Sequence, residues 1–181
     1  ISLEDDLIGK IQEMCLFYSS GLSFSFIERL ENNLYCSNLV IYRKGNIIDL
    51  FRRKSPGWKD TSAGPNYCEG KDFHTFNYKD KRILVAICGD LWFDENIARI
   101  NELEADLIFW PLYIDYLKDQ WDKEAKFDYR EQTSKLKAPV FMVNSYTEGL
   151  DTAKGGAYFF DGGLIIQELA LGKAGSLEIE I

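Results

Sequence analysis

Cys88 is the residue of this sequence whose type and position best suit nucleophilic chemistry. It follows an apolar, β-branched run, Ile83–Ile87, and is itself followed by Gly89 and Asp90. A cysteine at the end of a buried strand, just before a helix, lies where a sheet delivers side chains into a crevice and where backbone N–H groups can hold negative charge. Free cysteines are also among the most buried residues, so simple packing is the alternative. We take Cys88 as the candidate nucleophile.

The groups that could assist Cys88 are few. His74 is the only histidine, and its place in a strand one hairpin earlier favours a structural role over a Cys–His mechanism. Without histidine, a cysteine nucleophile needs a carboxylate as base and a lysine to hold the oxyanion charge. Lys54, just after a strand, and Lys59, in a long loop, are the candidates. The alternative for Lys54 is a solvated basic cluster with Arg52 and Arg53.

The elements that must position these residues follow from local patterns. Leu3, Leu7 and Ile11 recur at helical spacing after a Ser2 cap, which predicts a helix to about Phe17. Alternating or β-branched runs separated by short turns then predict an antiparallel meander of strands, at 22–29, 34–42 and 47–53. A polar loop over 55–71, with several prolines and glycines, follows; a loop of that length is more often functional than idle.

The second half of the chain alternates strands with helices, which is typical of crossover connections in an α/β protein. The patterns predict a hairpin of strands 72–78 and 82–88, helices 94–103 and 116–136, and strands 105–110, 140–145, 157–160, 164–169 and 176–181. The predicted fold class is therefore α/β, with hairpins and crossovers forming sheets that helices cover.

Composition limits the possible partners. The 181 residues fit one domain, 1–181, and a hydrophobic content of 46% predicts a well-packed core. A net charge of −8 disfavours nucleic acid and anionic membranes. The four cysteines are scattered without metal-ligand spacing, so we expect reduced thiols, a cytoplasmic location and neither metal nor cofactor. We find no signal peptide and no apolar run long enough to cross a bilayer.

Several of these segments together resemble the carbon–nitrogen hydrolase (nitrilase) superfamily. The resemblance runs from about Leu22 to the end of the chain, with the N-terminal helix also in place. It is carried by a basic run, a Pro/Gly loop that ends in Glu-Gly, a strand with Phe76, and the nucleophile segment, followed by further strand-like segments: Arg52–Lys54, Glu69-Gly70, Ile83–Asp90, Ala105–Pro111, Val143–Ser145, Gly155–Gly163 and Ser176–Ile181. The ILVAICGD segment is the most specific of these matches.

The resemblance implies a four-layer αββα sandwich, usually dimerised through helical faces, and hence a homo-oligomer. It implies that Cys88 is the nucleophile, that Lys54 (or, if the loop is threaded differently, Lys59) stabilises the tetrahedral intermediate, and that the Gly89 N–H is the second oxyanion donor. The expected reaction is hydrolysis of a small amide, nitrile or carbamoyl compound through a thioester.

Aromatic residues after Cys88 could line the substrate pocket, although ordinary core packing is an equal alternative for each. They are Trp92, Trp110, Tyr113 and Trp121.

One expected part of the family pattern is not in this sequence. The family's general-base glutamate belongs to an "fPE" motif at the end of a strand upstream of the first helix, and no such motif occurs here. The sequence thus predicts an N-terminally truncated nitrilase-like domain with an incomplete Glu-Lys-Cys triad. The family has a further glutamate in the loop after the lysine, and in this loop only Glu69 is available for it. Either the base comes from outside this chain, or the chain is a non-catalytic nitrilase-like binding protein, partner subunit or fragment.

Overall fold

The computed structural model describes residues 1–59, 62–149 and 154–180. Its first half contains one helix and a meander: α1 (Asp6–Phe17), β1 (Leu22–Leu30), β2 (Asn33–Ile41), β3 (Ile47–Arg52) and the short β4 (Tyr67–Cys68). β1, β2 and β3 pair antiparallel in that order, as predicted, and β4 adds to β2 in parallel. We call these four strands sheet A.

The remaining strands form sheet B, in the order β10-β9-β8-β7-β6-β5. The elements are β5 (Thr75–Tyr78), β6 (Lys81–Val85), α2 (Asp94–Glu102), β7 (Leu107–Leu112), α3 (Lys118–Gln120), α4 (Lys126–Ser134), β8 (Val140–Asn144), β9 (Ala157–Asp161) and β10 (Leu164–Leu169). The β6–β7 and β7–β8 pairs are parallel and are connected through helices, which confirms the predicted crossovers.

Alternation along the strands sorts side chains between two hydrophobic cores. Leu39 and Ile41 of β2 pack with Ile8 and Cys15 of α1, whereas Val40, between them in sequence, belongs to the larger core. That larger core unites the inner faces of both sheets with α2 and α4. Because successive strand residues point to opposite faces, sheet A has α1 on one side and sheet B on the other, which is the αββα sandwich expected from the sequence.

The structure corrects several predicted boundaries. The first helix begins at Asp6, because Asp5 and not Ser2 supplies the cap: its carboxylate accepts the Leu7 N–H at 3.1 Å. The predicted helix 116–136 begins at 118 and contains a π-helical turn, Trp121–Ala125, between α3 and α4. The predicted last strand is wrong for residues 176–180, which form no strand; Ile181 lies outside the described residues, as do positions 60 and 61 of the predicted loop.

Of the helices in the described ranges, none combines the length and the apolar character needed to span a bilayer.

Candidate active site

The backbone at Cys88 is in a conformation that non-glycine residues seldom adopt. β6 ends at Val85, three residues before the end predicted for this strand (82–88). After Ala86 and Ile87, Cys88 begins a 3₁₀-helical segment, Cys88–Trp92, and its φ is 46°. The carbonyl of Cys88 accepts a hydrogen bond from Trp110 Nε1 at 2.8 Å. Left-handed backbone in a cysteine costs about 1–3 kcal/mol and persists only where the surroundings enforce it, commonly at functional sites. The predicted exit of Cys88 from a buried strand is thus accompanied by a sharp turn.

Asp90 helps to hold the backbone around Cys88 in this conformation. Its side chain is fully buried and accepts three backbone N–H bonds: from Ser55 at 2.6 Å and Lys54 at 3.0 Å on Oδ1, and from Ile87 at 2.8 Å on Oδ2. Burial raises the pKa of Asp90, while these bonds and the nearby Arg53 act in the opposite direction. The carboxyl group therefore ties the segment after β3 to the end of β6, which brings the basic run close to Cys88.

Cys88 lies on the wall of a cavity of about 1030 Å³ between the two sheets. The wall combines the inner faces of both sheets and is mostly apolar, with contributions from Val40, Phe109 and Phe141. Of the predicted pocket aromatics, Trp110 and Tyr113 line this cavity. Trp92 does not line it; its ring packs against Tyr129 at 5.0 Å between centroids. Trp121 is fully buried and donates to Tyr158 Oη at 2.7 Å, as a core residue would.

The two predicted lysines are bonded to other groups. Lys54 Nζ donates to Asn96 Oδ1 at 3.0 Å and lies 5.4 Å from the ring centroid of Phe73. Lys59 Nζ donates to the Tyr67 carbonyl at 2.7 Å and lies 3.2 Å from Glu69 Oε1. Neither lysine lines the cavity that contains Cys88. Their predicted catalytic roles stay predictions.

Arg53 is the basic residue that shares this cavity with Cys88. It is 8% exposed, its Nε donates to Ser55 Oγ at 2.8 Å, and its Nη2 donates to the Pro56 carbonyl at 3.2 Å. A Cβ built on Gly89 would overlap Nη2 of Arg53 and lie 3.0 Å from Ser55 Oγ. The absence of a side chain at position 89 therefore leaves the space that the guanidinium occupies.

Sequence reasoning missed Arg53, although a signal was present. Asp49 and Phe51 are buried positions of β3 that lie two positions apart, and Arg53 continues that series just past the strand end. Period-two alternation therefore predicts that Arg53, and not Lys54, faces the other sheet. The Arg53 N–H also donates to the Cys36 carbonyl at 2.8 Å, which extends the β2–β3 pairing by one residue.

His74 and Cys36 are the remaining side chains near the site that could take part in nucleophilic chemistry. His74 Nε2 is 2.7 Å from Asp49 Oδ1, and this hydrogen bond raises the pKa of His74; His74 is not on the cavity wall. Cys36 is on that wall, but burial raises its pKa to about 11, so it keeps its proton at neutral pH. Within the described ranges we find no group of three His, Cys, Asp or Glu residues able to hold a metal ion.

Comparison with known proteins identifies the fold through solved structures and not through sequence. No family model and no curated protein matches the sequence. Among solved structures, a carbon–nitrogen hydrolase from Helicobacter pylori G27 aligns with a TM-score of 0.75 at 15% identity, over 93% of this chain and 64% of that one. A point mutant of an amidase from Nesterenkonia sp. AN1 aligns with a TM-score of 0.75 at 12% identity, over 92% and 65%.

The glutamine-dependent NAD⁺ synthetase of Acinetobacter baumannii also aligns, with a TM-score of 0.72 at 16% identity, over 94% of this chain and 35% of that one. This chain thus spans less than two thirds of the length of each of the three proteins. The Nesterenkonia amidase is described as a member of the nitrilase superfamily. The chain therefore has the nitrilase-like αββα fold of the carbon–nitrogen hydrolases, and the family resemblance predicted from the motifs is confirmed at the level of fold.

Proposed function

We propose that this protein hydrolyses a non-peptide carbon–nitrogen bond of a small amide, nitrile or carbamoyl compound, with Cys88 as nucleophile. The observation that carries the proposal is the position of Cys88: it has left-handed backbone in the turn that follows β6, on the wall of a large cavity. The fold supports it, and so does the Nesterenkonia amidase, a mutant of which shows the result of Michael addition of acrylamide at the active-site cysteine.

For an amide, the proposed reaction proceeds in two halves. The Cys88 sulfur, after giving its proton to a base, attacks the carbonyl carbon, and the C=O π pair moves onto oxygen. Collapse of this tetrahedral intermediate breaks the C–N bond, and the nitrogen leaves as ammonia after taking the proton from the base. Water then adds to the thioester and breaks the C–S bond, which releases a carboxylic acid and restores Cys88.

The negative charge on the oxygen needs donors in place before the reaction begins. We assign this role to the Gly89 N–H and to the Arg53 guanidinium, which packs against Gly89 on the cavity wall. The sequence-based alternatives, Lys54 and then Lys59, would need to leave their present partners to reach the cavity.

The base is the part of the machinery that the described residues do not supply. Of the acidic residues in the described ranges, none lines the cavity. Of the two alternatives that the sequence leaves open, we propose the first: a glutamate from outside this chain accepts the proton. The same observation favours the second candidate function, a non-catalytic protein that binds a small amide at this cavity or completes its fold with a partner.

Enzyme assays on matched variants separate the two functions. Ammonia release from a panel of short amides and nitriles should require Cys88, so Cys88→Ala should lose it, whereas Cys68→Ala, which changes a thiol in β4, should retain it. A substrate that deacylates slowly should add an acyl mass to the wild-type chain and none to Cys88→Ala. Saturable binding of amides with no ammonia from any of them would contradict the hydrolase and support the binding protein.

We further propose that the protein works in the cytoplasm as a homo-oligomer. Its four cysteines are all unpaired, which suits a reducing compartment. Large apolar side chains are exposed on and after α1, where Phe17 is 80% exposed, and such residues are typical of contact surfaces. Light scattering of the purified chain should give the mass of a dimer or larger; a Phe17→Ser variant should shift that mass toward the monomer, and a monomeric wild type would contradict the proposal.

A further inference from the structure

The charge that the described residues place on the wall of the cavity beside Cys88 is positive. Arg53 is the single Lys, Arg, His, Asp or Glu side chain that the described residues contribute to its wall. The other contacts are apolar or neutral, such as Phe76, Asn38 and Ser145. A charge is felt far more strongly against low-dielectric walls than in water. This cavity therefore favours ligands that bring negative charge.

Arg53 itself is held without a direct ion pair. Among the described residues, no carboxylate lies within 4.0 Å of its guanidinium. Its link to Asp90 is indirect and passes through Ser55, whose hydroxyl accepts from Arg53 Nε and whose backbone N–H donates to Asp90 Oδ1. Buried charges are normally paired, so an anion in the cavity would supply the direct partner that the Arg53 guanidinium lacks.

The Arg53 guanidinium has N–H groups that are free to bind such an anion. A guanidinium carries five N–H groups and accepts no hydrogen bond. Arg53 uses one on Ser55 Oγ and one on the Pro56 carbonyl. If one more holds the oxyanion of the proposed hydrolysis, roughly two are left, and both lie in the guanidinium plane that matches a carboxylate.

Trp58 adds a second unused donor at the same wall. It lines the cavity together with Gly57 and Arg53, and its Nε1 is buried with no hydrogen-bond partner among the described residues. Buried N–H groups are nearly always satisfied in a working protein. The indole N–H has almost no accessible surface, so the Arg53 guanidinium is the donor that a ligand in the cavity would meet first.

We propose that the substrate carries a carboxylate close to the carbonyl that Cys88 attacks, and that Arg53 binds that carboxylate. The substrate class is then the monoamide or mononitrile of a short dicarboxylic acid. This inference rests on the proposed function and specifies its substrate. Arg53 is in this view a residue that determines specificity as well as a donor to the oxyanion.

Two alkylating reagents of nearly the same size test the proposal. Iodoacetate carries a carboxylate and iodoacetamide carries a neutral amide; in both cases the cysteine thiolate displaces iodide and forms a C–S bond. We expect Cys88 in the full chain to favour iodoacetate over iodoacetamide by about tenfold or more relative to the same ratio for glutathione, in line with a charge-assisted hydrogen bond. Peptide mass mapping assigns the rates to Cys88. Acetate, but not acetamide, should protect it.

Variants then assign the preference to Arg53. Arg53→Gln should bring the ratio to that of glutathione, and Arg53→Lys, which keeps the charge but not the planar fork, should give an intermediate value. Lys44→Gln removes one positive charge from an exposed turn and should leave the ratio unchanged. If Arg53→Gln does not fold, Arg53→Lys and the acetate protection of the wild type still decide the question.

The outcomes separate this inference from the function on which it rests. If Cys88 reacts with neither reagent, the accessible nucleophile is wrong and the hydrolase proposal falls with it. If Cys88 reacts but shows the glutathione ratio, the carboxylate site is wrong and the hydrolase proposal stands. If the preference for iodoacetate survives in Arg53→Gln, some group other than Arg53 attracts the anion, and the assignment is overturned.

Discussion

Replacement of Asp90 by asparagine tests whether its carboxyl group holds the active-site turn. The carboxyl accepts two N–H bonds on Oδ1 and one on Oδ2, all at 2.6–3.0 Å. An asparagine offers a single acceptor oxygen and points an NH₂ group at the remaining backbone donor. If the oxygen keeps Lys54 and Ser55, the Ile87 N–H faces that NH₂, and two buried donors are left unsatisfied.

The magnitude follows from those lost bonds. An unsatisfied buried donor costs about 1–3 kcal/mol. Burial raises the pKa of Asp90, which shows that its charge is itself partly unfavourable in the fold, so removal of the charge offsets some of the loss. We expect Asp90→Asn to reduce the free energy of unfolding by about 2–3 kcal/mol, and the melting temperature by about 4–10 °C for a chain of this size.

The assay is urea and thermal unfolding of wild type and variant, with Asp80→Asn as the matched control. Asp80 is exposed in the turn between β5 and β6, and the same substitution there should change stability by less than about 0.5 kcal/mol. Alkylation of Cys88 should slow or lose selectivity in Asp90→Asn, because the turn is no longer held. A variant as stable as wild type, with unchanged Cys88 reactivity, would refute the view that Asp90 fixes this turn.

Two further predictions concern single hydrogen bonds near the site. Because the bond to Asp49 raises the pKa of His74 above its ordinary value, protonated His74 stabilises the fold fully below about pH 6.5, and that contribution is lost as the pH rises through the folded-state pKa. In urea unfolding at pH 5.5, His74→Gln should therefore lower the free energy of unfolding by only about 0.5 kcal/mol, because the His74 side chain is about half exposed although Asp49 is buried. It should have little effect at pH 8.5; an equal loss at both pH values would contradict this. Trp110→Phe removes the donor to the Cys88 carbonyl and should cost about 1 kcal/mol by urea unfolding and alter the alkylation rate of Cys88; identical stability and rate would show that this bond does not support the turn.

Much of the fold could be predicted because its signals are local. The antiparallel meander follows from alternating runs joined by short turns, and the parallel half of sheet B follows from strands that alternate with helices. The failed strand at 176–180 shows the limit of such patterns. Alternation indicates that a segment can form a strand, but it does not indicate that a partner edge lies within hydrogen-bonding reach.

The site was harder to predict, because it depends on which way a few side chains point. Cys88 could be singled out from the sequence, because a strand-like run followed by cysteine and glycine is visible there, and it lies on the cavity wall. Residue type selects Lys54 and Lys59 as candidates, whereas strand parity places Arg53 on the wall that faces sheet B. Neither the burial of Asp90 nor its three backbone partners leaves a mark in the sequence, because two of those partners lie far from it along the chain.

The left-handed backbone at Cys88 also restricts what evolution or an engineer can place there. A side chain branched at Cβ, such as threonine or valine, would clash with its own main chain at φ 46°. Glycine would relax the position and asparagine would tolerate it. A variant without the Cys88 thiol is therefore best made with a small unbranched residue at this position. Threonine would remove the thiol and also distort the backbone, so an assay could not separate the two effects.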